Sequence, residues 1–141
     1  MSDCALKNSG RRRYYCSMEL TLQVIGGKWK PIILYHLSQG GVKRFGELRQ
    51  MMPNITQKML TQQLRELEED GLVHRQVYAQ VPPKVEYSLT DFGTSILPIM
   101  QSLSQWGQSY EERFQLTTET GSEGEEKKGL PASIQEANGL S

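Results

Sequence analysis

Between Thr56 and Asp70 the chain places Gln57, Lys58, Thr61, Gln62 and Arg65 away from an apolar stripe of Met59, Leu60, Leu64 and Leu67 at helical spacing. These side chains suit the recognition of base edges. Gln pairs through two hydrogen bonds with adenine, Arg does so with guanine, and Thr meets a thymine methyl or a phosphate. A helix with an apolar back and such a polar front fits the DNA major groove, about 12 Å wide. The side chains from Thr56 to Gln62, nearest the helix N-terminus, are expected to reach deepest. Arg65, one turn later, is placed for guanine or for a phosphate. Arg75 and Lys84 further on, with Lys43 and Arg44 before, are candidate phosphate contacts.

An ordinary surface helix also carries a polar outer face, so the surrounding elements have to decide. Met18, Leu20, Leu22, Val24 and Ile25 open a short apolar helix that Gly26-Gly27 stops. Pro31 suits the first turn of a second helix, continued by Ile32, Ile33, Leu34 and Leu37 and ended before Gly40-Gly41. Phe45, Leu48 and Met51 mark a third, which Pro53-Asn54 ends. Thr56 is the N-cap of the fourth, 56–70, and Gly71 offers the left-handed residue after it. Residues 72–80 alternate loosely, Val81-Pro82-Pro83-Lys84 turns the chain, and Val85 to Leu89 alternates cleanly, which predicts a β-hairpin. Thr90 then caps a long last helix whose Phe92, Ile96, Ile99, Leu103, Trp106 and Tyr110 recur at steps of four and three. Pro98 should bend that helix or loosen one backbone bond. A domain this small can hardly hide the whole seam, so self-association is expected.

The predicted fold is mainly α with a small β-hairpin, a winged helix-turn-helix. A winged module that binds protein through the same helix is the alternative. It would carry exposed apolar anchors there instead of a row of hydrogen-bonding groups. An enzyme is not expected, because no nucleophile–base pair stands out. Gly26-Gly27-Lys28 lacks the spacing of a phosphate loop. His36 and His74 have no metal-ligand spacing with each other or with either cysteine, so neither metal nor cofactor is expected. Trp29 and Trp106 read as core and interface anchors, or as lining for a small-ligand pocket.

Charge first argues against nucleic acid, since sixteen Lys and Arg balance sixteen Asp and Glu over 141 residues. The balance is a sum of unlike parts. Residues 1–114 hold fourteen basic and eleven acidic side chains, a net of +3, and residues 115–141 hold two and five, a net of −3. Residues 1–13 read as a flexible polar arm, 14–114 as the DNA-binding and dimerisation domain, and 115–141 as an acidic disordered tail. The apolar run Ile32-Ile33-Leu34-Tyr35 falls far short of the ~20 residues of a membrane span. No apolar stretch follows the basic N-terminus, so no secretory signal is expected. Two cysteines, Cys4 and Cys16, make no disulfide framework and fit a reducing cytoplasm.

Several stretches together resemble the HxlR-type transcriptional regulators, relatives of MarR-type winged-helix repressors. They are CSMELTLQVIGGKWK from Cys16, Arg44-Phe45-Gly46-Glu47-Leu48, ITQKMLTQQLRELEEDGL from Ile55 to Leu72, and Val81-Pro82-Pro83-Lys84-Val85-Glu86-Tyr87. The match covers roughly residues 14–110. The resemblance implies a homodimer on a near-palindromic operator of double-stranded DNA, repressing more often than activating. Helix 56–70 would be the recognition helix, hairpin 72–89 the wing, and the first and last helices the dimer interface, with Leu20 contributing from the first. Some regulators of this type carry a cysteine like Cys16 that senses oxidants or electrophiles. Its place at a helix N-terminus close to Arg11-Arg12-Arg13 favours thiolate. The alternatives are a half-buried packing residue at the dimer seam and a regulator that answers to a small ligand without cysteine sensing. Cys4 is a disulfide partner for Cys16 or incidental.

Overall fold

The computed structural model describes residues 5–8 and 10–116. Cys4, and the acidic tail from residue 117 on, lie outside the described residues. Two compact units divide the chain, Met1–Met100 and Gln101–Ser141.

In the first unit a two-stranded ribbon, β1 (Lys7–Asn8) against β2 (Arg13–Tyr14), precedes α1 (Ser17–Ile25) and α2 (Trp29–Ser38). Then come β3 (Lys43–Arg44), α3 (Phe45–Met51), α4 (Gln57–Glu69), β4 (Val73–Tyr78), β5 (Lys84–Leu89) and the short α5 (Asp91–Thr94). The last helix, α6 (Leu97–Arg113), begins in the first unit and carries most of the described part of the second.

The core forms where the apolar stripes of α2, α3 and α4 meet the start of the hairpin. Ile33, Leu34 and Leu37 of α2, Leu48 of α3, Leu60, Leu64 and Leu67 of α4, and Val73 of β4 are almost wholly shielded from water. Each is worth roughly 1.5–3 kcal/mol of transfer free energy. Leu60, Leu64 and Leu67 follow one another by four and three residues, so burying them fixes which face of α4 looks outward.

Both ends of α4 are closed by the expected residues. The Thr56 hydroxyl accepts the Met59 amide at 3.0 Å, a cap worth about 1 kcal/mol. At the other end Gly71 takes φ +78°, the Leu72 amide donates to the Leu67 carbonyl, and the Gly71 amide donates to that of Glu68, each at 3.0 Å. This Schellman closure turns the chain straight into β4.

The hairpin pairs Val73 with Leu89 through to Tyr78 with Lys84. Its return strand starts at Lys84, one residue earlier than the alternation had indicated. A third strand joins it: β3 pairs Lys43 with Tyr87 and Arg44 with Glu86, so β5 is the central strand in the order β3-β5-β4. Two residues are too few to show a period, so sequence alone left them as a lead into α3.

The single long final helix is corrected. It breaks at Ser95-Ile96, giving α5 and α6. Pro98 has no N–H to offer the Thr94 carbonyl, and its ring would crowd that carbonyl in a continuous helix. A restart at Leu97 puts Pro98 in a first turn, where no donor is needed. The seam is broken accordingly. Ile96 sits in the break and packs on the core instead of lining an outer stripe. Gly93 in α5 has ordinary backbone angles, yet a Cβ there would fall 2.0 Å from the Leu72 carbonyl oxygen. That close approach holds α5 against the entry to the hairpin.

Candidate nucleic-acid interface

Thr56 at the N-cap and Gln57, Lys58, Thr61, Gln62 and Arg65 of α4 are all exposed, and Lys58, Thr61, Gln62 and Arg65 lie on the side of α4 away from its buried leucines. Lys58, Arg65 and Arg75 form no ion pair among the described residues, so their charges face water. The Thr61 hydroxyl donates to the Gln57 carbonyl at 2.8 Å and keeps its acceptor lone pairs.

A recess of about 250 Å³ between α4 and the hairpin is lined by Thr61, Arg65, Glu68, Arg75 and Tyr87. Arg75 stands directly across the ladder from Tyr87. The fold therefore brings together two arginines that are ten residues apart in sequence, with Thr61, Glu68 and Tyr87 lining the same recess. The two guanidinium groups can donate to a phosphate oxygen, whereas the Thr61 hydroxyl already donates to Gln57. Glu68 belongs to the same recess and was not singled out in the sequence.

Lys84 is differently placed. Its Nζ lies 2.9 Å from Glu86 Oε1 and 5.0 Å from the centre of the Tyr78 ring. The hydrogen bond from Lys84, joined by one from the Tyr78 hydroxyl, holds the Glu86 carboxyl below its ordinary range. Lys84, a candidate phosphate contact in the sequence, is thus half-buried and charge-paired. It also borders a second recess, of about 310 Å³, with Arg44, Phe45, Gly46, Gln80, Pro82, Pro83 and Val85. Arg44 is exposed there, and Lys43 is half-buried behind it.

Two residues that shape this face escaped the sequence reading. Lys30 of α2 is buried, and its Nζ lies 2.8 Å from Oε2 of Glu66 on α4. The other carboxylate oxygen of Glu66 accepts from the Gln62 side-chain amide at 3.0 Å. These bonds, Lys30 first and Gln62 second, hold the Glu66 carboxyl below its ordinary range. The spacing of four between Gln62 and Glu66 was readable in advance. Nothing in the apolar run around Lys30 announced a buried cation.

The other end of α4 carries Glu68, Glu69 and Asp70, negative charge at the negative end of the helix dipole. The N-terminal ribbon offsets it. Arg12 grips Asp70 with two nitrogens, at 2.7 and 3.0 Å, and also reaches the Gln23 carbonyl of α1. Arg11 bonds both Asp70 and Glu69. The Asp70 side chain is almost wholly buried in this grip. Arg11 and Arg12 are therefore committed to carboxylates, and the cationic setting expected for Cys16 is weaker than their number implies. Cys16 itself is a free, half-buried thiol at the N-cap of α1, with its carbonyl accepting the Leu20 amide at 3.1 Å.

A second kind of exposed surface is apolar. On α1, Met18 and Leu22 are exposed and Leu20 is half-buried. On α5 Phe92 is exposed, as are Ile99, Leu103, Trp106 and Tyr110 on α6, with Trp106 at 69 % and Leu103 at 54 %. Within the second unit Trp106, Tyr110 and Phe114 run as a ring ladder, with centroids 5.7 and 4.5 Å apart. Trp29, by contrast, packs on the core as expected of an anchor. No helix among the described residues is long and apolar enough to cross a membrane.

Residues 24–115 match the family model described as HxlR-like helix-turn-helix. An uncharacterized HTH-type transcriptional regulator of Bacillus subtilis, YdeP, is 59% identical over 99 residues, which span 70% of this chain and 77% of that protein. Among solved structures, the redox regulator HypR in its oxidized form is 62% identical, with a TM-score of 0.63 over 67% of this chain and 96% of HypR. HypR in its reduced form gives 56% identity and a TM-score of 0.67 over 72% of this chain and 100% of that one.

Proposed function

Because the chain belongs to the HxlR-like helix-turn-helix family, transcriptional regulators that are not enzymes, we propose that it is a homodimeric repressor whose α4 reads a near-palindromic operator. The observation that carries this reading is the outer face of α4. Its hydrogen-bonding side chains and free cations are held outward by the burial of Leu60, Leu64 and Leu67. In this reading Thr56, Gln57, Lys58, Thr61 and Gln62 enter the major groove, and Arg65 and Arg75 share a backbone phosphate in the recess between helix and hairpin. Arg44, Lys43 and Lys84 border the wing, with Lys84 contributing least because Glu86 already pairs with it.

Dimerisation covers the exposed apolar side chains of α1 and of α6 and sets two recognition helices about 34 Å apart, one turn of B-DNA. Leu20, Ile99, Leu103, Trp106 and Tyr110 contribute to that interface. Ile96, packed inward, contributes little. The regulator answers to an oxidant or electrophile through Cys16, a reading supported by the likeness to HypR, a protein described as a redox regulator.

Gel shifts of the full chain on its own upstream DNA at low salt test the first part, and absence of any shift overturns it. Diamide added to the bound complex tests the second. Cys16→Ser should abolish the response, and a mutant that responds like the parent removes Cys16 from the mechanism.

A further inference from the structure

Gln62 is one of the side chains assigned above to the major groove, but its amide is not free to present either end. Glu66, one turn on, accepts from the Gln62 nitrogen at 3.0 Å. An ionised carboxylate has only acceptors, so the amide atom facing it has to be the NH₂ group. Glu66 is itself fixed. Its second oxygen lies 2.8 Å from the ammonium of Lys30, whose side chain is only 9% exposed. A buried ammonium demands a charged partner, and Glu66 is the only ion-pair partner Lys30 has among the described residues. Turning Gln62 over would put its carbonyl oxygen against that carboxylate.

We propose that the Lys30–Glu66 pair fixes the polarity of the Gln62 amide, so that α4 presents the Gln62 carbonyl oxygen to the operator and selects an amino-bearing base at one position of each half-site. The inference rests on the DNA-reading role of α4. In the major groove adenine N6 and cytosine N4 are donors, whereas guanine O6 and thymine O4 are acceptors that would oppose the exposed oxygen. In the major groove every base pair shows one amino group, adenine N6 or cytosine N4, so the selection is for the strand that carries it. Inverting A·T to T·A and inverting C·G to G·C should weaken binding in the same sense at that position. Lys30 and Glu66 touch no DNA in this account. They are positioning residues.

The test uses the full-length dimer. An operator obtained by selection from randomised DNA is changed one base pair at a time in competition gel shifts. Gln62→Ala identifies its position as the one whose preference disappears. There the parent should lose about tenfold or more on either inversion. Glu66→Gln, which keeps a hydrogen-bonding neighbour but lets the Gln62 amide turn, should cut that loss below about threefold while preferences elsewhere stand. The double variant Lys30→Met with Glu66→Gln removes the buried charge together with its partner, and should behave like the single one. That keeps the test open if Glu66→Gln alone melts early.

An unchanged inversion penalty in both folded variants overturns the proposal. So does a position that groups A·T with T·A, or adenine with guanine. So does a Gln62→Ala profile equal to the parent's. A parent chain that selects no DNA overturns the reading of α4 itself, a separate outcome.

Discussion

Helix α4 and helix α6 each leave a stripe of large side chains in water, and the two stripes have opposite chemistry. On α4 they are Gln, Lys, Thr and Arg, backed by fully buried leucines. On α6 they are Ile99, Leu103, Trp106 and Tyr110. The first stripe is at no disadvantage in the free protein, since polar groups bond to water; in the proposed reading base edges and phosphates replace that water. The second carries about 25 cal/mol for each Å² of apolar surface left wet, so it gains merely by being covered. Exposure is common to both. What differs is whether the awaited partner has fixed donors and acceptors or only has to exclude water. In the proposed reading the α4 stripe discriminates among DNA sequences, and the α6 stripe supplies affinity for a second copy.

The largest effect that would break this contrast comes from charging the apolar stripe. Leu103→Glu or Trp106→Glu should turn the dimer into a monomer by light scattering and weaken operator binding a hundredfold or more, about 3 kcal/mol. A mutant that stays dimeric shows that the α6 stripe is not the interface.

Next in size is the grip on the end of α4. Arg12→Ala strips Asp70 of its two-nitrogen partner and should cost about 2 kcal/mol in denaturant unfolding. Asp70→Asn paired with Arg12→Ala should recover part of it. No recovery means that the two residues act independently.

Arg65→Ala should lower operator affinity about tenfold and reduce the salt slope by about one ion per half-site, leaving the dimer intact. Arg75→Ala added to it should cost less than the sum of the two, because both line one recess. Full additivity would argue that they hold separate phosphates.

The smallest effect concerns acid. The Glu66 carboxyl is held below its ordinary value of 4.5 by Lys30 and Gln62. Its contribution to stability is therefore complete above pH 4.5 and is lost as pH falls through the lower, folded value. The gap in melting temperature between the parent and Glu66→Gln should narrow in that window. A gap that stays constant from neutral pH into acid would remove Glu66 from the acid response.

The polar front of α4, its two caps and the hairpin were legible because each rests on a local pattern: a helical period, Thr56 before the helix, Gly71 after it, and alternation from Val85 to Leu89. The broken final helix was half legible. Pro98 signalled a fault, but its extent depended on α5 docking at Leu72, which no window of sequence contains. The partners of Lys30, Arg12 and Lys84 were illegible for a similar reason. A lysine in an apolar helix and an arginine on an N-terminal arm read as solvated charges until the fold brings Glu66 or Asp70 alongside. Lys84 and Glu86, two apart on one strand, lie on the same face, yet their pairing became visible only once the strand start was known.

The grip of Arg11 and Arg12 on Asp70 also carries an expectation about descent. A buried carboxylate at a helix C-terminus is tolerable only while its cations remain, and two arginines on a surface arm gain little once it has gone. The three positions should therefore change as a set. Lineages that shorten the arm should replace Asp70 by a neutral residue, and those that keep Asp70 should keep a basic pair ahead of α1.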